Sequence, residues 1–237
     1  LHYHIISAAK LHLFDMNIIS TNVLPFEASN RFKVGSIGAK NQHKVLEAAV
    51  KVFSRKGFSG ARIDEIAKEA GMSKTNMLYY FKTKKELYQV VIVRVLRRWL
   101  STLGNLHSDD QPIDVITTYV SKKMQMSQQY PEVSRLIAME TMGGAPVVGD
   151  FLQTELHAWI KVKGQVFLKW QNEGLMAPIE PAYVFFMIWA VTQAYADFEL
   201  QIATVIKPNG YHSEIYPPAT RYAIEVLVRG FDLKPRL

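Results

Sequence analysis

The 237-residue sequence predicts an all-α fold, with a small three-helix unit near the N-terminal side and a larger helical region after it. Three observations predict it. From Lys40 onward apolar residues recur at three- and four-residue spacing, which lines one face of a helix. The breaks between these stretches hold Gly, Pro or Asp clusters (HSDDQP, YP, MGGAP, LMAPIEP, YPP) that stop a helix or turn the chain. No stretch shows the strict alternation of a half-buried strand.

The elements follow in order. Residues 1–38 carry short apolar patches without a sustained period, and lack the basic start and long apolar centre of a signal peptide. They are expected to form a poorly ordered extension. Val45, Leu46, Ala49, Val52 and Phe53 make the stripe of a first helix ending at Gly57. Ile63, Ile66, Ala67 and Ala70 mark a second, stopped by Gly71, and Ser73 is placed to cap a third through its hydroxyl. Thr83, with Glu86 at the third helical position, starts a fourth helix that runs to Trp99. Further helices are predicted at about 112–129, 131–142, 149–173, 182–205 and 218–231. The chain thus divides into residues 39–84, a helix-turn-helix unit, and residues 85–237, a helical domain.

Composition limits the function. Hydrophobic residues make up 49% of the chain, enough for a sizeable core, yet no apolar run approaches the length of a spanning helix. No membrane partner is expected. With no cysteine, disulfides and thiolate metal sites are excluded, which suits a reducing cytoplasm. Residues 31–98 hold 16 Lys plus Arg against 5 Asp plus Glu, while the rest of the chain holds 12 against 16. The positive excess therefore sits in one short segment, as in a polyanion-binding module; a solvated basic face is the plainer alternative.

Residues 62–81 have the layout of a helix-turn-helix, whose second helix presents its first turn to base edges. Lys74 suits guanine acceptors, Asn76 suits adenine, and Thr75 offers a hydroxyl or a methyl. Lys84, at a helix N-terminus, and the hydroxyls of Tyr79 and Tyr80 are candidates for phosphate. A helical turn with a few lysines also occurs in proteins that bind nothing. The segment AAVKVFSRKGFSGARIDEIAKEAGMSKTNMLYYFKTKKEL, however, closely resembles the N-terminal domain of TetR-type transcriptional regulators. The resemblance implies a homodimer on a near-palindromic double-stranded DNA operator, with a C-terminal domain that dimerises and binds a small-molecule effector. It implies DNA contacts by Arg62, Ser73, Lys74, Thr75, Asn76, Tyr79, Tyr80 and Lys84, and a core role for Phe81. Many members carry His where this sequence has Tyr80.

In FMIWAVTQAYADFELQ, Trp189, Gln193 and Asp197 share one helical stripe. An amide and a carboxylate in so apolar a helix are costly unless hydrogen-bonded. Two readings stand: the pair is satisfied at a dimer interface, or it lines a pocket in which a flat heterocycle stacks on Trp189 or Trp99 and bonds to Gln193. The segments YPEVSRL, ME and GAP, with LMAPIEP and FMIWAVTQAYADF, are similar to the pyrimidine-utilisation branch of the TetR family. That similarity implies uracil or thymine as effector, with Trp99, Trp189 and Gln193 in the pocket; Asp197 and Met139 are further candidates. The departures lie in the N-terminal extension and in residues 206–218. A multidrug-sensing repressor is the rival, since methionines suit adaptable pockets, and a helical ligand-binding protein without DNA function is the reading from another class. No spacing of His, Asp, Glu or Ser suggests an enzyme, a metal site or a cofactor.

Overall fold

The computed structural model describes residues 36–206 and 214–236, so the extension at 1–35 and most of the divergent 206–218 segment lie outside the described residues. All regular structure among the described residues is helical. Helix α1 (Ile37–Gly60) is capped by the Ser36 hydroxyl and interrupted at Gly57. It is followed by α2 (Ile63–Glu69), α3 (Lys74–Tyr80) and α4 (Lys84–Leu100), the last running into a 3₁₀ turn at Ser101–Leu103. Then come α5 (Pro112–Gln129) and α6 (Pro131–Met142), a short α7 (Gly149–Phe151) that opens into a π-helical stretch at Leu152–Leu156, and α8 (His157–Asn172). Helices α9 (Pro181–Asp197), α10 (Glu199–Ile206) and α11 (Tyr216–Gly230) complete the fold. Four of these helices, α5, α6, α9 and α11, begin with proline at the first helical turn, where its missing N–H costs nothing. The predicted helix at 182–205 is two helices, because the chain turns at Phe198 after α9.

Two apolar cores hold these helices. The first gathers Leu46, Ala49 and Phe53 of α1, Ile66 of α2, Met77 of α3, Phe81, and Leu87 and Val91 of α4, and continues into Val133, Leu136 and Ile137 of α6. Each such large side chain contributes roughly 1.5–3 kcal/mol by leaving water. The second lies between α5, α8, α9 and α11, around Tyr119, Phe167, Trp170, Phe185, Ile188 and Leu227. Phe167, Phe185, Trp159 and Trp189 stack in tilted contacts at 4.8–6.3 Å between ring centroids. Helix α8 approaches the start of α9 closely at Gly164, where a Cβ would fall 2.7 Å from that of Pro181. Only glycine fits there.

Candidate functional site

The turn between α2 and α3 sets the first site. Gly71 adopts φ +68°, and the Met72 amide donates to the Ala67 carbonyl, closing the end of α2. Ser73 accepts from the Asn76 amide at 3.2 Å and caps α3. This leaves Lys74, Thr75 and Asn76 exposed on the first turn of α3 while Met77 is fully buried against the first core. Lys74 leans on Asp64 of α2 at 3.0 Å, and Arg62 extends into solvent near the same carboxylate. Tyr79 is exposed beside them. The predicted base-reading trio and Arg62, Ser73 and Tyr79 thus share one exposed face.

Two predicted contacts fall elsewhere. Tyr80 is buried, its hydroxyl accepting from Asn41 Nδ2 at 3.2 Å, so it joins α3 to α1 and is corrected from a phosphate contact to a packing residue. Lys84 also finds partners within the chain. Its Nζ donates to the Phe58 carbonyl at 2.8 Å and the Ala61 carbonyl at 3.1 Å, with the Ser59 carbonyl at 3.5 Å and the Phe58 ring centroid at 4.6 Å. A lysine has three protons to give, and these are spent where α1 ends, clasping the carbonyls that a helix terminus leaves unpaired. Lys84 therefore fixes α4 to α1. Lys82 and Lys85, its neighbours, are exposed. Sequence reasoning missed this division because every lysine in KTKKEL carries the same charge. The signal that separates them is the capping box around Thr83 and Glu86, which sets the phase of α4.

The second site is a cavity of about 940 Å³ bounded by α4, α5, α6, the π-helical stretch, α8 and α9. Trp99 of α4 and Trp189 and Gln193 of α9, all predicted, line it together. The Trp189 indole N–H donates to the Tyr119 hydroxyl at 2.7 Å, which fixes the ring, and burial pushes the Tyr119 phenol well above the ordinary range. Gln193 faces the cavity with no hydrogen-bond partner among the described residues. The π-helical wall is tied down by Arg97 of α4, which forms a two-pronged pair with Glu155 at 2.6 and 2.8 Å.

Two predicted pocket residues are not in this cavity. Asp197, one turn beyond Gln193, accepts from the Ser134 hydroxyl at 2.6 Å and joins α9 to α6; burial pushes its carboxyl up while Ser134, Arg135 and Lys123 pull it back. Met139 lines a separate recess of about 460 Å³ between α6, the end of α1 and the start of α4. It is on the other side of α6. A cavity residue that sequence reading passed over is Lys123 of α5, only 3% exposed, with its Nζ 4.3 Å from the centre of the Trp99 indole.

Comparison with known proteins decides the family. Residues 45–91 match the profile described as bacterial regulatory proteins, tetR family, and residues 92–234 match YcdC-like protein, C-terminal region. The chain belongs to the TetR family of transcriptional regulators. It is 42% identical over 201 residues to the HTH-type transcriptional regulator RutR of Escherichia coli K12, covering 85% of this chain and 93% of the relative. The negative regulator IcaR of the Staphylococcus epidermidis biofilm operon is 27% identical over 79 residues, covering 33% of this chain and 43% of its own length. Among solved structures, a transcriptional regulator of Streptomyces coelicolor aligns with TM-score 0.66 at 22% identity, over 82% of this chain and 99% of its own. Salmonella enterica GusR aligns with TM-score 0.62 at 16% identity, over 84% of this chain and 100% of its own. These structures share the fold. The TetR-type chain is a DNA-binding regulator, not an enzyme, and among the described residues no helix is long and apolar enough to cross a membrane.

Proposed function

We propose that this TetR-family regulator binds a near-palindromic operator as a homodimer, through the first turn of α3, and represses pyrimidine-metabolism genes until uracil or thymine occupies the cavity. The observation that carries the reading is the meeting of Trp99, Trp189 and Gln193, from helices far apart in sequence, in the lining of one cavity. Indole rings offer flat apolar faces, and an amide supplies one donor and one acceptor to the adjacent N–H and C=O of a lactam ring. The 42% identity to RutR, the pyrimidine-utilisation regulator, supports the same choice. For the homodimer, exposed Tyr183 and Met187 on α9 and Tyr222 and Val226 on α11, two helices in contact, supply an apolar face for a second copy. Phosphate contacts fall to Arg62, Tyr79, Lys82 and Lys85 in this reading, because Lys84 and Tyr80 are engaged internally.

The cavity volume favours one alternative. At about 940 Å³ it lies near the top of the range for drug-sized ligands, roughly 300–1,000 Å³, and its walls are mostly apolar. A larger hydrophobic effector also fits it. A gel shift with the protein's own upstream region, with and without uracil at fixed salt, tests the first reading. Operator affinity is expected to fall with uracil, and equal affinities would reject the effector. A thermal-shift comparison of pyrimidines with hydrophobic cations separates the two readings, since the true effector raises the melting temperature.

A further inference from the structure

Among the charged residues that line the cavity, Lys123 of α5 is the buried one. Lys123 lies on the apolar stripe of α5 with Tyr119, Val120, Met124 and Ser127, and is buried with them. Its ammonium rests on the face of Trp99 and makes no hydrogen bond or ion pair among the described residues. A buried lysine without hydrogen-bond acceptors is expensive, and such a group is retained where a ligand completes it. The charged and titratable groups around it are few. Asp197 of α9 is its nearest influence, already bonded to Ser134 of α6, beside Arg135. His157 and Lys161 of α8 and Glu180 before α9 lie elsewhere on the cavity lining. From α4 the cavity receives Leu96, Trp99 and Leu100, and from α6 Ile137 and Thr141, whose hydroxyl donates to the Ile137 carbonyl.

The geometry points to Lys123 as the residue that selects the effector, by donating its ammonium protons to an oxygen of high charge density on the bound ligand. It rests on the reading of this cavity as the effector site and narrows the ligand to a class: an imide or lactam oxygen, or a carboxylate, on a flat body that stacks against the indoles. A hydrophobic cation has no such oxygen to offer and gains nothing from Lys123. Gln193 then serves the neighbouring donor and acceptor of the ring, and Trp99 holds the ammonium in place through its face.

Burial holds the Lys123 ammonium down at about 7, so near pH 8 the empty cavity holds it largely as the neutral amine. A ligand oxygen stabilises the charged form and draws a proton in with the ligand.

Titration calorimetry on the full-length protein tests this, with uracil and benzoate as separate probes, on wild type, Lys123→Met and Lys123→Gln. At least one probe is expected to bind wild type, at least tenfold more tightly than it binds either variant. At pH 8 its heat is expected to vary with the ionisation enthalpy of the buffer, in the sense of proton uptake. The proton measurement uses wild type alone, so it stands even where a variant misfolds. Binding of uracil that depends on Lys123 supports both this assignment and the pyrimidine reading. Lys123-dependent binding of benzoate with none of uracil supports the assignment and ends the pyrimidine reading. Equal affinities in wild type and folded variants, the absence of proton uptake, or binding of neither probe overturns it.

Discussion

Positive charge is handled in opposite ways at the two ends of the molecule. On the exposed face of α2 and α3 the cations stand in water, and the partner they share is an exposed carboxylate, Asp64, beside both Lys74 and Arg62. Such exposed pairs are worth about 0–1 kcal/mol and are screened by salt, so exchanging a carboxylate for a phosphate costs little. In the cavity, Lys123 is buried among apolar side chains, with its ammonium on an indole face. There each charge must be matched at short range. The difference separates an exposed surface, whose charges change partners at little cost, from a cavity in which one buried charge has no bonded partner among the described residues.

The largest expected effect breaks the separation between the two ends. Phe81→Ala removes a fully buried ring from the core that α1, α2, α3 and α4 share with α6. It should cost ~3–5 kcal/mol in urea denaturation. A loss of operator binding with unchanged overall unfolding would mean that the DNA-binding end unfolds alone.

Lys123→Met sharpens the contrast next. Lys123 titrates near 7 when folded and near ~10.4 when unfolded, so the unfolded chain binds more protons across that window and stability rises with pH through it. Below pH 7 both states are charged and the full penalty is present. The variant should therefore raise the melting temperature at pH 7 and flatten its dependence between pH 7 and 10. An unchanged pH profile would place the lysine in contact with water.

Asn76→Ala should cost ~1–3 kcal/mol of discrimination at one operator position, leaving the salt dependence of binding as it was; binding to a set of single-base operator variants measures it. The smallest effect distinguishes neighbouring lysines. Lys82→Ala should lower the slope of log affinity against log salt by about 1, whereas Lys84→Met should leave that slope unchanged and lower thermal stability, since its protons bond to carbonyls of this chain. A lower slope for Lys84→Met would restore it as a phosphate ligand.

The turn and cap that start α3 are legible in the sequence because their parts are local: Gly71, Ser73, Lys74 and Asn76 lie within one turn and one cap, whose chemistry acts over three or four residues. The cavity is only half legible. Trp189 and Gln193 share a helical stripe, and that period predicts their common face, but the same stripe continues to Asp197, which α6 captures through Ser134. Which residues of a stripe reach a cavity depends on where another helix crosses it, and the period does not say. Met139 fails for the same reason, being on the far side of α6. Lys123 was hidden by its neighbour, since KK at 122–123 looks like a solvated pair until the phase of Tyr119, Val120 and Met124 is followed.

The first core runs without interruption from α1 through α4 to α6, and Lys84 clasps α4 to the end of α1 across the join. A DNA-binding segment cut out at residue 84 would leave behind Leu87 and Val91, which complete its interior. Exchanging operator specificity between two relatives therefore calls for a graft that carries α4 along with α1–α3, or for replacement of the exposed residues on α3 alone. Recombination at the obvious loop would exchange a reading head for one that no longer fits its own stem.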